Sequence, residues 1–292
     1  MARRRPPNTH GLAVVDKPAG VTSHDVVGML RRRFGERQVG HAGTLDPDAT
    51  GVLLVGVGRC TRLLRFLTDL GKTYTGQVVF GTTTDSLDST GVVTGSFDMA
   101  ALTQAMVQAA VRDHLTGAIE QIPPMVSAVK IGGRRLHELA REGVEVERAP
   151  RPVTVYRFDV RPSDDALVYD IEVHCSKGTY IRTLADDLGR LCGGGAHLRG
   201  LRRTAVGGFG VDLAAAPDDV ELLTLPQAMR DYPQVALAAD DAALVRNGRV
   251  LARADTFVGD GPWAVLDPAG DLIAMYEAFG HAQVKPAVVV PV

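Results

Sequence analysis

Little in these 292 residues is aromatic. Phe, Trp and Tyr make up 5% of the chain, so a tyrosine in a loop or at the rim of a sheet needs a specific reason. Cysteine is scarcer still. Cys60, Cys175 and Cys192 are odd in number and widely spaced, which suits neither a disulfide framework nor a zinc site. None of the eight histidines falls at HxxxH or another paired-ligand spacing, so no metal is implied. No apolar run approaches the ~18 residues of a membrane span. Residues 1–7, with Arg3, Arg4 and Arg5, lack the apolar stretch of a signal peptide. The expectation is a soluble, cytoplasmic, monomeric protein that needs no cofactor.

What is present bounds the answer from the other side. At 292 residues, 45% of them hydrophobic, the chain can hold one large domain and a small one around a real core. Net charge is −2, but residues 1–211 carry 27 Lys/Arg against 22 Asp/Glu, while residues 212–292 carry 5 against 12. Phosphate contacts depend on local rather than whole-chain charge, so a nucleic acid would lie mainly on the first two-thirds. Such asymmetry is also common in solvated surface.

One stretch organises the rest: Gly40-His41-Ala42-Gly43-Thr44-Leu45-Asp46-Pro47-Asp48-Ala49-Thr50-Gly51, a glycine-rich loop leading into the apolar strand Val52-Leu53-Leu54-Val55. Pro47 fixes the backbone after Asp46 and disfavours the helical region for Asp46 itself. A carboxylate held this way can act as nucleophile, general base or ligand. Local chemistry alone equally describes a turn aspartate that bonds its own backbone.

The remaining pattern alternates strands and helices. Residues 1–10 read as a disordered basic arm and 11–16 as a strand. A helix is expected from Ser23 as N-cap to Phe34, with Val26, Val27, Leu30 and Phe34 on one face. Arg31, Arg32 and Arg33 in its last turn suit the helix dipole. Residues 60–70 read as a helix and 72–80 as a strand, with Tyr74 on an inward or cleft-lining face. Asp85 and Asp88 are acids that could support a site from behind. Helices are expected over 99–115, 180–191 and 219–230, and antiparallel strands over 153–160 and 166–175. Between them, 121–151 is irregular and basic, with Lys130, Arg134, Arg135, Arg141, Arg148 and Arg151, and a short helix near 136–142. Arg182 falls in a first helical turn, where the dipole disfavours a cation, so something negative must compensate it. A hairpin over 263–276 marks a small β-rich module at 236–292.

Six ordered motifs carry a resemblance. The Asp46 stretch, Asp16-Lys17-Pro18-x-Gly20, Lys72-x-Tyr74, Ile122-Pro123-Pro124-Met125-x-Ser127-Ala128-x-Lys130, Ser176-Lys177-Gly178-Thr179-Tyr180-Ile181-Arg182 and Gly195-Ala196-His197-Leu198-x-x-Leu201-Arg202-Arg203 together resemble the bacterial tRNA pseudouridine synthase B family. The resemblance implies an α+β fold, a mixed or antiparallel central sheet flanked by helices. It also implies a catalytic domain at 11–235, a thumb loop at 121–151 that folds over RNA, and a β-rich PUA-like module at 236–292. His137 stands where the family pattern suggests an aromatic, and Cys192-Gly193-Gly194-Gly195 carries one residue more than that pattern. The implied activity is isomerisation of uridine to pseudouridine at position 55 of the tRNA T-loop, without cofactor.

The resemblance assigns Asp46 as the catalytic carboxylate and Arg182 as the guanidinium that keeps it ionised. Tyr74 stacks on the uracil and can take the C5 proton. His41, Tyr180, Leu201, Lys17, Lys130, Arg134, Arg135 and Arg202 contact the RNA, Lys17 having a stronger claim to a structural role beside the loop. Attack at C1′, addition at C6 and removal of the C2′ proton all need the same ionised group, which burial alone would neutralise. Two other classes compete. A metal-dependent hydrolase would use Asp46 with Asp48, a weak pair without further ligands. A tRNA-binding or tRNA-folding protein would use the same surface with secondary or no catalysis.

Overall fold

The computed structural model describes residues 9–291 except 128, 129, 132, 133, 136–141, 143, 145 and 254, with the backbone alone at Lys130, Ile131 and Arg135. The expectations placed on residues 1–8, on the short helix near 136–142, on Arg141 and His137 and on the side chains of Lys130 and Arg135 lie outside the described residues. The chain forms two compact bodies, Met1–Asp69 with Ala205–Val292, and Leu70–Thr204.

In the first body the strand Gly11–Lys17 pairs antiparallel with Thr50–Val57, from Gly11 opposite Val57 to Lys17 opposite Gly51. Val39–Ala42 pairs with the same strand, His41 opposite Val55. The helix Ser23–Phe34 lays Val26, Val27 and Leu30 against Ala13, Val15, Leu53, Val55 and Val57. Its cap is Thr22 rather than Ser23: the Thr22 hydroxyl accepts from the Asp25 N–H at 3.0 Å while Asp25 accepts from the Thr22 N–H at 2.9 Å, a reciprocal capping box. The helix stops at Gly35, whose φ of +61° no β-carbon residue adopts cheaply.

Two further expectations shift in this body. The helix over 60–70 is a 3-10 turn, Gly58–Leu63, running into Leu64–Asp69. The helix over 219–230 shrinks to Leu225–Ala228, because Leu222–Leu223 extends instead and pairs with Leu12 and Ala13, and Thr224 then caps the shorter helix. His10 is held, since the Arg59 N–H donates to its Nδ1 at 3.2 Å.

The C-terminal part is a five-stranded sheet in the order Gln234–Ala236, Trp263–Leu266, Leu272–Phe279, Gln283–Val289, Leu251–Ala252. The expected hairpin is there, Trp263 opposite Tyr276. With the helix Ala239–Arg246 it encloses Val235, Val245, Phe257, Trp263, Tyr276 and Val284.

The second body is built on antiparallel strands: Gly117–Gln121, Arg151–Pro162, Val168–Cys175, Lys72–Phe80 and, next to the last, Ala196–Val206. Tyr169, Ile171, Val173 and Cys175 alternate inward as the sequence pattern predicts. Among the described residues two helices accompany them, Gln104–His114 and Ile181–Leu191. The first begins later than residue 99 because Thr103 caps it, accepting from the Met106 N–H at 3.3 Å. The architecture is the α+β arrangement that the sequence led us to expect, an antiparallel sheet with flanking helices and a β-rich C-terminal part.

All three cysteines are free and buried. Burial pushes the Cys60 thiol up to about 12 and the Cys175 thiol up to about 11, and raises Cys192 as well. Among the described residues no helix is long and apolar enough to cross a membrane.

Candidate active site

Asp46 sits half-buried in the loop joining Val39–Ala42 to Thr50–Val57, bracketed by Gly43 (φ +82°) and Gly51 (φ +100°). Both glycines occupy the left-handed region, which lets the chain leave one strand and enter the next within a few residues. The backbone on either side of the carboxylate is clamped. Ser23, freed from capping duty, donates its hydroxyl to the Leu45 carbonyl at 3.1 Å and accepts from the Leu45 N–H at 2.9 Å, all in a buried setting. On the other side the Pro47 carbonyl accepts from the Gly20 N–H at 3.0 Å and from the Lys17 ammonium at 2.8 Å.

Lys17 is 0% exposed, and its ammonium also donates to the carbonyls of Val21 at 2.7 Å and Pro18 at 2.9 Å. A lysine so enclosed does not reach a substrate. Its expected RNA contact gives way to the structural role, with carbonyl dipoles replacing the water its charge has lost. His41 is half-buried on the strand that leads into the loop, and Asp48 is exposed.

The second body carries Tyr74, Tyr180, Arg182 and Leu201. Tyr74 is 8% exposed on Lys72–Phe80, opposite Val173. Gly76, two residues on, lies so close to the neighbouring strand that a Cβ there would meet the Leu201 Cα at 3.6 Å. Tyr74 and Leu201 therefore belong to adjoining strands. Arg202 is half-buried on the same strand as Leu201.

Tyr180 is the N-cap of Ile181–Leu191, without a side-chain cap. Its backbone is held from a distance: the Gln121 carboxamide donates to the Tyr180 carbonyl at 3.2 Å and accepts from the Tyr180 N–H at 2.9 Å.

Arg182, 5% exposed, lies in the first turn as expected. Its guanidinium donates to the carbonyls of Ser86 and Val126, each at 2.8 Å, and faces the Asp88 carboxylate at 3.6 Å. The other oxygen of Asp88 accepts from the Ser86 hydroxyl at 2.7 Å and from the Thr90 hydroxyl and N–H at 2.6 and 3.0 Å. Leu87, between Ser86 and Asp88, has a φ of +62°, unusual for a residue with a side chain. The turn is thus bent to bring a carbonyl and a carboxylate to one cation. Asp88 was foreseen as a supporting acid; the two carbonyls were not.

In the basic segment, the exposed Arg134 pairs with Glu142 at 2.5 Å, and Arg148 donates to the Pro123 carbonyl at 3.1 Å. Sequence reasoning gave Ser23 the cap instead of the loop and missed Gln121. Thr22 with Asp25 three residues on was a signal for the first; nothing local marks the second. The described residues contain no group of three or more His, Cys, Asp and Glu placed to hold a metal ion.

Three family models match in succession. Residues 31–181 match the TruB family pseudouridylate synthase N-terminal domain, residues 182–237 the tRNA pseudouridylate synthase B C-terminal domain, and residues 232–291 the tRNA pseudouridine synthase II C-terminal model. The chain is 44% identical over 296 residues to a tRNA pseudouridine synthase B from Arthrobacter sp. (strain FB24), covering 96% of each chain. It is 46% identical over 290 residues to the protein of the same name from Mycolicibacterium paratuberculosis, covering 96% of this chain and 97% of that one. Among solved structures, a Cbf5-Nop10-Gar1 complex matches with a TM-score of 0.73 at 24% identity, over 96% of this chain and 85% of that one. That last likeness is one of fold.

Proposed function

The chain belongs to the TruB family of pseudouridylate synthases, and from that premise we propose that it isomerises uridine to pseudouridine at position 55 in the T-loop of tRNA, with Asp46 as its catalytic group. The N1–C1′ bond breaks, the uracil turns, C5 bonds to C1′, and the proton leaving C5 is balanced by one gained at N1. No external group enters or leaves. The target base is stacked within a folded loop, so it must be flipped out at a cost of a few kcal/mol.

The observation that carries the proposal is the clamped loop. A catalytic carboxylate has to be held in one geometry, and the neighbours of Asp46 are fixed by Ser23, Gly20 and Lys17. In the proposal Arg182 keeps Asp46 ionised, Tyr74 replaces the lost stacking and takes the C5 proton, and Leu201 and Tyr180 wall the pocket. His41 packs where the base has left. Arg202, Lys130, Arg134 and Arg135 contact the RNA. The same proposal divides the chain into a basic arm at 1–10, a catalytic domain at 11–235 with an RNA-clamping segment at 121–151, and a PUA-like module at 236–292, in a cytoplasmic monomer.

The test is release of tritium from 5-labelled uridine in a T-arm stem-loop, with and without chelator. We expect stoichiometric release at the target uridine, unchanged by chelator. Binding without release would leave a tRNA-binding protein and end the enzymatic assignment; release that chelator leaves unchanged dismisses the metal-dependent hydrolase, whose reaction would not break the C5–H bond.

A further inference from the structure

We propose that Gln121 is a positioning residue for the chemical step: its carboxamide sets the backbone of Tyr180, and through it the first turn of the helix that carries Arg182. The inference rests on Tyr180 and Arg182 being site residues, as proposed above.

Gln121 is the last residue of Gly117–Gln121, opposite Arg151, and is 2% exposed. A buried primary amide is costly unless its groups find partners. Here the partners are the N–H and the carbonyl of one residue 59 positions away, at 2.9 and 3.2 Å. The side chain acts as one more rung of a β-ladder, laid across to a residue that is in no strand.

Tyr180 is where the helix begins. An N-cap residue leaves the first N–H groups of its helix open, and this one has no capping side chain. Its carbonyl also accepts the first intrahelical bond, from the Leu184 N–H at 3.1 Å. The Gln121 amide therefore grips the peptide from which the helix starts.

A second tie comes from the same segment. Five residues beyond Gln121, the Val126 carbonyl accepts from Arg182 at 2.8 Å. One stretch of chain thus holds the helix start twice, by a side chain on the Tyr180 backbone and by a backbone carbonyl on the Arg182 side chain. Two ties of opposite kind restrain both the position of the first turn and its rotation about the helix axis. Fixing geometry matters here because a misplacement of about 1 Å at a reacting group can cost about a hundredfold in rate.

The experiment compares Gln121→Met, a near-isostere with no hydrogen bonds, Gln121→Glu and wild type. Single-turnover pseudouridine formation is measured at saturating tRNA, alongside tRNA affinity and thermal melting. Burial favours the neutral acid of Gln121→Glu, which offers the same donor and acceptor as the amide. We expect Gln121→Met to lose about 30-fold in single-turnover rate with tRNA affinity within about threefold, and Gln121→Glu to stay within about fivefold of wild type. A Gln121→Met rate within about twofold of wild type, a matched fall in rate and affinity, or equal losses in both variants would overturn the proposal. Should Gln121→Met not fold, Gln121→Asn, one methylene too short to keep both bonds, takes its place with the same expected loss. Absence of turnover by the wild-type protein would instead remove the premise about Tyr180 and Arg182.

Discussion

Asp46 and Arg182 are both ionic groups held still, by different means. Around Asp46 the work falls within about thirty residues of sequence: two left-handed glycines, Pro47, the serine that begins the helix Ser23–Phe34 and the lysine that ends the strand Gly11–Lys17. Around Arg182 it is remote. The carbonyl of Ser86 is 96 positions away and that of Val126 is 56. The first arrangement is a loop fastened by its own flanks and tolerates little change in residue type. The second depends on where other segments put their backbones, which many sequences could satisfy. Variants at the two places should fail differently.

The largest effect is expected at Asp46. Asp46→Asn should abolish turnover while tRNA binding stays within about tenfold, measured by tritium release and filter binding. Retained turnover would take the carboxylate out of the chemistry. Next comes Lys17→Met, which leaves three carbonyls facing a methyl group and should lower unfolding free energy by about 3 kcal/mol or more in urea titrations. A loss below about 1 kcal/mol would mean that the flanks of the loop do not depend on the ammonium.

At the remote site, Asp88→Asn keeps the shape but removes the negative charge 3.6 Å from Arg182. We expect about a tenfold fall in single-turnover rate with unchanged tRNA affinity, and an equal fall in affinity would contradict it. Ser23→Ala should cost about 1 kcal/mol of stability, because the buried N–H and carbonyl of Leu45 lose their partner. No change in the unfolding midpoint would show that the backbone finds water instead.

The smallest effect tests the helix of Arg182 further along. Burial, and next the neighbouring Asp186 charge, push the Asp187 carboxyl up to about 6 against an opposing Arg190. A raised folded value means that the native state holds its proton more tightly than the unfolded chain. The contribution is fully present below the unfolded value and is lost as pH rises through about 6. Asp187→Asn should therefore gain stability relative to wild type as pH rises from about 4 to about 7 and stay level above that. A relative stability that does not change with pH would exclude the shift.

The same contrast explains what was legible in the sequence. The strand Lys72–Phe80 matches its expected bounds because alternation is a local signal. The Asp46 loop was readable for the same reason. Ser23 was misassigned because Thr22 offers the same capping chemistry one residue earlier, and Asp25 completes the box with Thr22. Leu222 and Leu223 fit an apolar helix face as well as an edge strand, and only the partner at Leu12 and Ala13 decides. Gln121 had no local mark, since its two bonds exist only once residues 121 and 180 are brought together.

The three enclosed cysteines have a practical consequence. With Cys60 and Cys175 pushed up to about 12 and about 11, and all three thiols away from solvent, the native protein presents almost no thiolate to a maleimide at neutral pH. One cysteine introduced on the surface would then carry a fluorophore or spin label with little background, and RNA binding could be followed without first stripping the chain of its own sulfur.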